Sequence, residues 1–158
     1  MIDFSEITRN NYDSFVELLV EYYRDGEDSE TDLDTIKGFI DQLFDLVERG
    51  KIAGRIVNRG DEFVGMCLWM NDTTEKDFSE MPGYGTILEI GVRKGYREGG
   101  FGTQIVKYAE QQMRRDGISS FYVSAYGPAE VFWEKCGYVK TEKMASNGLP
   151  IFIKVMDD

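Results

Sequence analysis

A glycine-rich segment between a strand and a helix, in residues 84–116, constrains the fold of this chain more than any other feature. Residues 84–92 have the apolar, β-branched character of a strand, and residues 101–116 carry apolar side chains at helical spacing. Between them stands the run VRKGYREGGFGT, residues 92–103. Glycines let successive N–H groups converge, and the start of a helix adds partial positive charge. The segment therefore predicts a loop suited to an anion such as phosphate.

Local charge is consistent with an anionic ligand. Four basic residues, Arg93, Lys94, Arg97 and Lys107, stand against Glu98 in residues 93–107, a local charge of +3 in a chain of −11. The glycine spacing matches neither GxxxxGK[ST] nor GxGxxG, which argues against nucleoside-triphosphate hydrolysis and dinucleotide binding. A polyphosphate site and a plain glycine-rich connection without a ligand both stay open on the glycines alone.

Composition excludes several classes of function. The 29 acidic residues outnumber the 18 Lys and Arg, so binding to nucleic acid or to an anionic membrane is disfavoured. The acidity fits a small cationic partner better. Because histidine is absent, no Ser-His-Asp triad and no His-ligated zinc is available, and no metal site is predicted. Acid–base chemistry would fall to Glu, Asp, Tyr, Lys, Cys or water.

The remaining composition indicates a cytoplasmic single domain over residues 1–158. Cys67 and Cys136 lie far apart and form no CxxC pair, which favours free thiols in a reducing compartment. The N-terminal residues lack the basic and apolar regions of a signal peptide, and no apolar run is long enough to span a bilayer.

Periodicity along the chain predicts an α/β fold with the order β-α-α-β-β-β-α-β-α-β-β. This order indicates a mixed, mostly antiparallel central sheet of about seven strands flanked by about four helices. The predicted strands are residues 2–7, 51–57, 62–70, 84–92, 119–125, 138–144 and 150–156. The predicted helices are residues 12–23, 36–47, 101–116 and 128–136.

Two segments resemble a known family. The run REGGFG, residues 97–102, resembles the R/Q-x-x-G-x-G/A loop of the GNAT superfamily of N-acetyltransferases. The run AEVFWEKCGY, residues 129–138, resembles that family's A-x-x-x-(aromatic)-E-K-x-G-(aromatic) segment. The separation of the two segments and the predicted element order also fit. The resemblance implies the acyl-CoA N-acyltransferase fold, with acetyl-CoA as the cosubstrate.

The resemblance also implies where the cosubstrate binds. Its pantetheine would pair with the strand ending at Val92, through backbone groups near Ile90 and Val92. Amides near Gly91 and Val92 would stabilise the thioester oxygen if the strand is distorted there. Its pyrophosphate would lie on main-chain amides of the loop, from Arg97, Glu98, Gly99, Gly100, Phe101, Gly102 and Thr103.

The catalytic candidates are Glu89 and Tyr126. Glu89 lies upstream on the same strand and is the best candidate general base, the alternative being an ordinary strand glutamate that faces solvent or an arginine. Trp133 stands where the family often places a tyrosine that protonates the departing thiolate. We therefore take Tyr126 as a hypothetical proton donor, the alternatives being a packing aromatic or a thiolate that leaves without a side-chain acid.

The acceptor is expected to be a primary amine, on a small cationic molecule or on a protein. Six acids in residues 25–34 would attract such an amine, or they form a solvated loop. The aromatic residues Tyr22, Tyr23, Phe39 and Trp69 would line its pocket or belong to the core. The prediction is an N-acetyltransferase acting by direct attack, with homodimers common in the superfamily. The alternatives are another acyl chain, a protein Nα target, or a catalytically lapsed CoA-binding sensor or interaction module.

Overall fold

The helices and strands follow one another in the predicted order. The computed structural model describes residues 1–25, 31–73 and 79–156. The strands are β1 Asp3–Glu6, β2 Ala53–Arg59, β3 Glu62–Asn71, β4 Gly85–Val92, β5 Ser120–Ser124, β6 Val139–Met144 and β7 Pro150–Val155. The α-helices are α1 Tyr12–Asp25, α2 Leu33–Glu48, α3 Phe101–Arg115 and α4 Pro128–Lys135. Two short 3-10 helices, Arg9–Asn11 and Lys94–Gly99, were not predicted.

The strands form one open seven-stranded sheet in the order β1-β2-β3-β4-β5-β7-β6. Strands β4 and β5 run parallel, with Gly85 opposite Phe121 and Thr86 opposite Tyr122. The pairs β1–β2, β5–β7 and β6–β7 are antiparallel. The predicted mixed sheet with four helices is therefore confirmed.

Local side chains and glycines explain where the elements begin and end. Helix α2 begins before the predicted residue 36 because the carboxylate of Asp32 accepts a hydrogen bond from the Thr35 backbone N–H at 2.9 Å, which caps the helix. The β2–β3 hairpin closes through two residues, with Gly60 at φ +63°. Gly117, at φ +89°, follows α3 and ends it.

The residues group into two compact units, each with its own buried side chains. The first unit comprises Met1–Leu68 and Glu89–Ile105, and the second comprises Trp69–Leu88 and Val106–Asp158. Fully buried residues of the first unit include Phe15, Leu19, Ile40, Ile56, Met66 and Leu68. Those of the second include Met113, Phe121, Phe152 and Ile151.

The single domain over residues 1–158 stays a prediction. Among the described helices, none has the length and apolarity to cross a membrane.

A buried carboxylate, Glu110 on α3, connects three parts of the second unit. It is 3% exposed and accepts hydrogen bonds from the Tyr138 hydroxyl at 2.8 Å and the Lys154 ammonium at 3.0 Å. Lys154 also donates to the backbone oxygen of Cys136 at 2.8 Å. Burial and the nearby Glu110 charge raise the pKa of Tyr138, so its hydroxyl remains a hydrogen-bond donor. The cluster thereby joins α3 to β7 and to the end of α4.

A second buried carboxylate, Asp72, fixes the chain just before β4. It is 2% exposed and accepts hydrogen bonds from the Tyr122 hydroxyl at 2.7 Å and from the backbone N–H groups of Glu80 at 2.9 Å and Met81 at 2.8 Å. Burial alone would raise the pKa of Asp72, but these hydrogen bonds stabilise the charged form and lower it. Tyr122, which is buried at 4% exposure, is therefore both a core aromatic residue and a hydrogen-bond donor.

Candidate functional site

The segment between β4 and α3 is more ordered than the predicted glycine loop. Residues Lys94–Gly99 form a short 3-10 helix, and Gly100 follows in the left-handed conformation at φ +75°. Helix α3 begins at Phe101, and the Gln104 N–H donates to the Gly100 oxygen at 3.3 Å. Glycine is required at position 100 because this positive φ strains other residues.

The first turn of α3 presents a group of main-chain donors. A helix leaves its first N–H groups without a partner four residues back, and here these belong to Phe101, Gly102 and Thr103. The positive end of the helix dipole adds to their attraction for an anion. The predicted loop residues thus form one continuous segment with this turn. Their contacts with a cofactor stay a prediction.

Three contacts that the sequence did not suggest hold this segment in place. The Arg97 Nε donates to the Val92 oxygen at 2.8 Å. The Tyr96 hydroxyl donates to the Glu62 carboxylate at the start of β3. The Tyr96 ring also packs edge-on against Phe101, with ring centroids 6.0 Å apart. These contacts fix the segment to β4, to β3 and to the beginning of α3.

Strand β4 passes unusually close to Gly65 of β3. A Cβ atom on Gly65 would collide with the Gly91 carbonyl oxygen and would lie 3.2 Å from the Val92 Cα. The described peptides contain no cis bond, and a trans peptide carries its C=O and N–H on opposite sides. The Val92 N–H therefore points away from Gly65. Pairing continues at Arg93, whose N–H donates to the Val64 oxygen at 2.8 Å.

A small hollow lies beside this part of β4, within the first unit. Its walls combine apolar side chains, charged side chains and the β4 backbone. The lining residues are Leu18, Glu21, Tyr22, Met66, Gly91, Val92, Arg93 and Arg97. The Arg93 guanidinium forms ion pairs with Glu17 at 3.2 Å and with Glu21 at 3.3 Å. Part of the positive charge at the hollow is thus neutralised by helix α1.

The candidate base Glu89 contacts helix α1. Its side chain is half-buried, and its Oε1 accepts a hydrogen bond from the Tyr23 hydroxyl at 2.9 Å. Tyr23 is 7% exposed, and the centroid of its ring lies 5.3 Å from that of Tyr22 and 5.6 Å from that of Phe39. This environment is compatible with a proton acceptor and with a structural carboxylate. The catalytic role of Glu89 stays a prediction.

The other candidate aromatic residues belong to the second unit. Tyr126 lies two residues after the end of β5 and is 42% exposed, and its role as proton donor stays a prediction. Trp133, in place of the family's tyrosine, is buried and packs edge-on against Tyr138 at 5.2 Å. Trp69 is also buried and packs against Tyr108 at 6.0 Å. Trp69 and Trp133 are therefore core residues.

The acidic stretch predicted to attract the acceptor is described only in part. Glu27, Asp28 and Glu30 lie outside the described residues. Asp32 and Asp34 are exposed, and the hydrogen bonds from Thr35 lower the pKa of Asp32. Asp32 is explained as a helix cap, and the attraction of a cationic acceptor stays a prediction. Within residues 1–25, 31–73 and 79–156, no group of three acidic or Cys side chains could hold a metal ion.

Comparisons with known proteins bear on the family and the fold of this chain. The profile of the acetyltransferase (GNAT) family matches residues 12–138. Among solved structures, PaiA N-acetyltransferase from Thermoplasma acidophilum, in complex with coenzyme A, is 13% identical, with a TM-score of 0.76 over 98% of this chain and 99% of its own. An acetyltransferase from Thermus thermophilus is 16% identical, with a TM-score of 0.77 over 99% of this chain and 97% of its own.

A third similar structure is aminoglycoside acetyltransferase AAC(6')-Ib in complex with coenzyme A. It is 14% identical, with a TM-score of 0.75 over 98% of this chain and 95% of its own. At these identities the similarity establishes the fold and confirms the predicted fold class. No curated protein matches the sequence.

Proposed function

Because the chain belongs to the acetyltransferase (GNAT) family, we propose that it transfers the acetyl group of acetyl-CoA to the primary amine of an acceptor. The observation that carries this proposal is the backbone of β4 at Gly91 and Val92, where the close approach to Gly65 leaves the Val92 N–H pointing away from β3. A main-chain donor fixed in this way suits a carbonyl oxygen that becomes anionic during attack.

The donor would bind along the segment that carries the predicted residues. Its pyrophosphate would accept hydrogen bonds from the first-turn amides of α3, at Phe101, Gly102 and Thr103, in the positive end of the helix dipole. Its pantetheine would add to β4 as an extended strand would, through the backbone of Ile90 and Val92. Coenzyme A in two of the similar solved structures supports this cosubstrate.

The chemistry needs a neutral amine, a stabilised oxyanion and a leaving thiolate. The amine nitrogen forms a bond to the thioester carbon, while the carbonyl oxygen becomes anionic and accepts a hydrogen bond from the Val92 N–H. The C–S bond then breaks. The proton lost by the amine goes to Glu89, directly or through water. The thiolate takes a proton from Tyr126 or from water. No covalent enzyme intermediate is required.

The test is acetyl-CoA with a panel of amines: polyamines, aminoglycosides, lysine-containing peptides and peptides with a free N-terminus. We expect one amine class to gain the mass of an acetyl group and to release thiol in equal amount. The panel also separates a protein amine from a small cationic acceptor. Tight binding of coenzyme A without amine-dependent thiol release would overturn the proposal and favour a lapsed CoA-binding module.

Replacing Glu89 with glutamine should lower kcat by roughly 100-fold at neutral pH, within the range typical of a lost general base. The loss should shrink above about pH 8, where more of the amine is already neutral. The measurement is the pH profile of kcat. Glu142→Gln, at an exposed position of strand β6, is the control and should leave the profile unchanged. A Glu89→Gln profile parallel to the wild type would dismiss Glu89 as the base.

Replacing Gly100 with alanine should weaken coenzyme A binding. At φ +75° an alanine is strained by about 1 kcal/mol, and the free loop would relax away from this conformation. Binding would have to restore it, which corresponds to a roughly 5-fold higher Kd in a calorimetric titration. Gly60→Ala is the matched control, because Gly60 has φ +63° and is equally open, but lies in the β2–β3 turn. An equal change of Kd in both variants would contradict the assignment.

A further inference from the structure

Helix α1 supplies the hydrogen bond that orients the candidate base. The Tyr23 hydroxyl donates to Glu89 Oε1 at 2.9 Å, and Tyr23 itself is 7% exposed. We propose that Tyr23 is a positioning residue, which holds the Glu89 carboxylate in the orientation that accepts the proton of the acceptor amine. This inference rests on the proposed function, because it assigns a second residue to the same proton transfer.

Tyr23 is itself rigidly placed. Its ring lies 5.3 Å from that of Tyr22 on the same helix and 5.6 Å from that of Phe39 on helix α2. Aromatic pairs at these distances favour a defined mutual orientation. A tyrosine has few rotatable bonds, so a packed ring also fixes the position of its hydroxyl. The hydroxyl therefore serves as a fixed donor for a longer and more flexible side chain.

The contact lies on the face of β4 that borders the hollow. Glu89 and Gly91 are two residues apart on a strand, so both project to the same face. On that face Tyr23 contacts Glu89, and the Tyr22 ring lies 3.4 Å from the position of a Cβ on Gly91. An amine that enters the hollow beside Gly91 would therefore approach the face that carries Glu89.

The hydrogen bond from Tyr23 gives the two oxygens of the Glu89 carboxylate different roles. Oε1 accepts from Tyr23, and in the proposed reaction Oε2 would take the proton of the amine or of a bridging water. Without the hydroxyl, the Glu89 side chain would lose a contact that selects one rotamer. The charged groups that line the hollow are Glu21, Arg93 and Arg97, with Glu21 and Arg93 paired at 3.3 Å. The Tyr23 hydroxyl adds a directed hydrogen bond to this arrangement of charged groups.

The test is Tyr23→Phe, alone and combined with Glu89→Gln. Tyr23→Phe should lower kcat about 10-fold, which corresponds to one misplaced hydrogen-bonding group, and should leave the KM for acetyl-CoA unchanged. In the Glu89→Gln background the same substitution should have no further effect on kcat, because the group that it positions is already absent. Additive effects in the double variant would overturn the inference.

Tyr12→Phe is the matched control. Tyr12 lies at the beginning of the same helix and its hydroxyl also donates to a carboxylate, that of Asp41. We expect Tyr12→Phe to keep the wild-type kcat. Thermal unfolding of each variant reports any loss of stability. A fall of kcat in Tyr12→Phe equal to that in Tyr23→Phe would show a general effect of helix α1 and would contradict the positioning role.

A spectroscopic readout separates this inference from the proposed function. The ¹³C NMR signal of the Glu89 carboxyl carbon, assigned by its loss in Glu89→Gln, should shift in Tyr23→Phe and stay in place in Tyr12→Phe. A missing shift would overturn the positioning role whatever the activity. The expected shift in Tyr23→Phe, together with a wild-type protein that acetylates no amine, would instead overturn the proposed function.

Discussion

Replacing Gly65 with alanine is expected to abolish most of the activity and to lower stability. The added Cβ would collide with the Gly91 carbonyl oxygen, which is part of the backbone and cannot rotate away as a side-chain end would. Such overpacking costs about 1–3 kcal/mol, or several degrees in Tm for a chain of this size. The displaced peptide would move the Val92 N–H, and loss of one oxyanion donor typically lowers kcat by about 100-fold or more.

Two other glycines give the controls for this experiment. A Cβ on Gly54 of β2 would meet the Ile7 and Leu68 methyl carbons at 2.6 and 2.7 Å, but these are ends of flexible side chains. Gly54→Ala should therefore lower Tm and keep kcat. Gly38, inside helix α2, has open space around its Cβ position, so Gly38→Ala should raise stability by about 0.5–1 kcal/mol. Wild-type kcat in Gly65→Ala would show that the Val92 N–H has no part in the reaction.

The beginning of α3 after the glycine-rich run could be predicted because the signal is local. The spacing of residues 97–102 sets a helix N-terminus and its donors, and no distant residue is needed to interpret it. The contact between Gly65 and Gly91 could not be predicted in the same way. A glycine inside a strand indicates a bulge or a close approach. Which strand approaches depends on the register between β3 and β4, which the sequence of either strand leaves open.

The pairing of Tyr23 with Glu89 shows the same limit. The sequence predicts that Tyr23 lies in an amine pocket or in the core, and that Glu89 is a general base or an ordinary strand residue. Both residues belong to elements that were predicted correctly. Their contact depends on how α1 is rotated against β4, which is decided by packing of the whole apolar face. Helical periodicity identifies that face but does not give the partner of one hydroxyl.

Element order was predictable for a further reason. The apolar period changes from helical to alternating several times along the chain, and each change marks an element. The ends of the helices and strands were harder to predict from the sequence. Helix α2 begins at Leu33 because of the Asp32 cap, and the segment Lys94–Gly99 forms a 3-10 helix. The 3-10 helix contains Tyr96, whose hydroxyl donates to Glu62 on β3, and the local sequence does not indicate this contact.

Replacing Lys154 with methionine should cause the second large effect, a loss of about 3–5 kcal/mol of stability. Glu110 is 3% exposed. Without Lys154, the Tyr138 hydroxyl is the described hydrogen-bond partner that remains for the Glu110 carboxylate. A buried carboxylate that loses its cation is strongly destabilising. The expected fall in Tm is on the order of 10 °C. Methionine keeps an unbranched apolar side chain at this position, so the effect reports the loss of the ammonium, which also lies 5.7 Å from the centroid of the Tyr138 ring.

The origin of this loss can be isolated by neutralising the carboxylate as well. In Lys154→Met with Glu110→Gln, no unpaired charge remains buried, so part of the stability should return and the two changes should be strongly non-additive. Lys140→Met is the control: Lys140 pairs with Glu130 at 3.1 Å, but its side chain is 52% exposed, and such pairs contribute little. A Tm of Lys154→Met equal to that of Lys140→Met would contradict the argument. The ion pair between Lys154 and Glu110 would then contribute no more to stability than an exposed ion pair, although its carboxylate is buried.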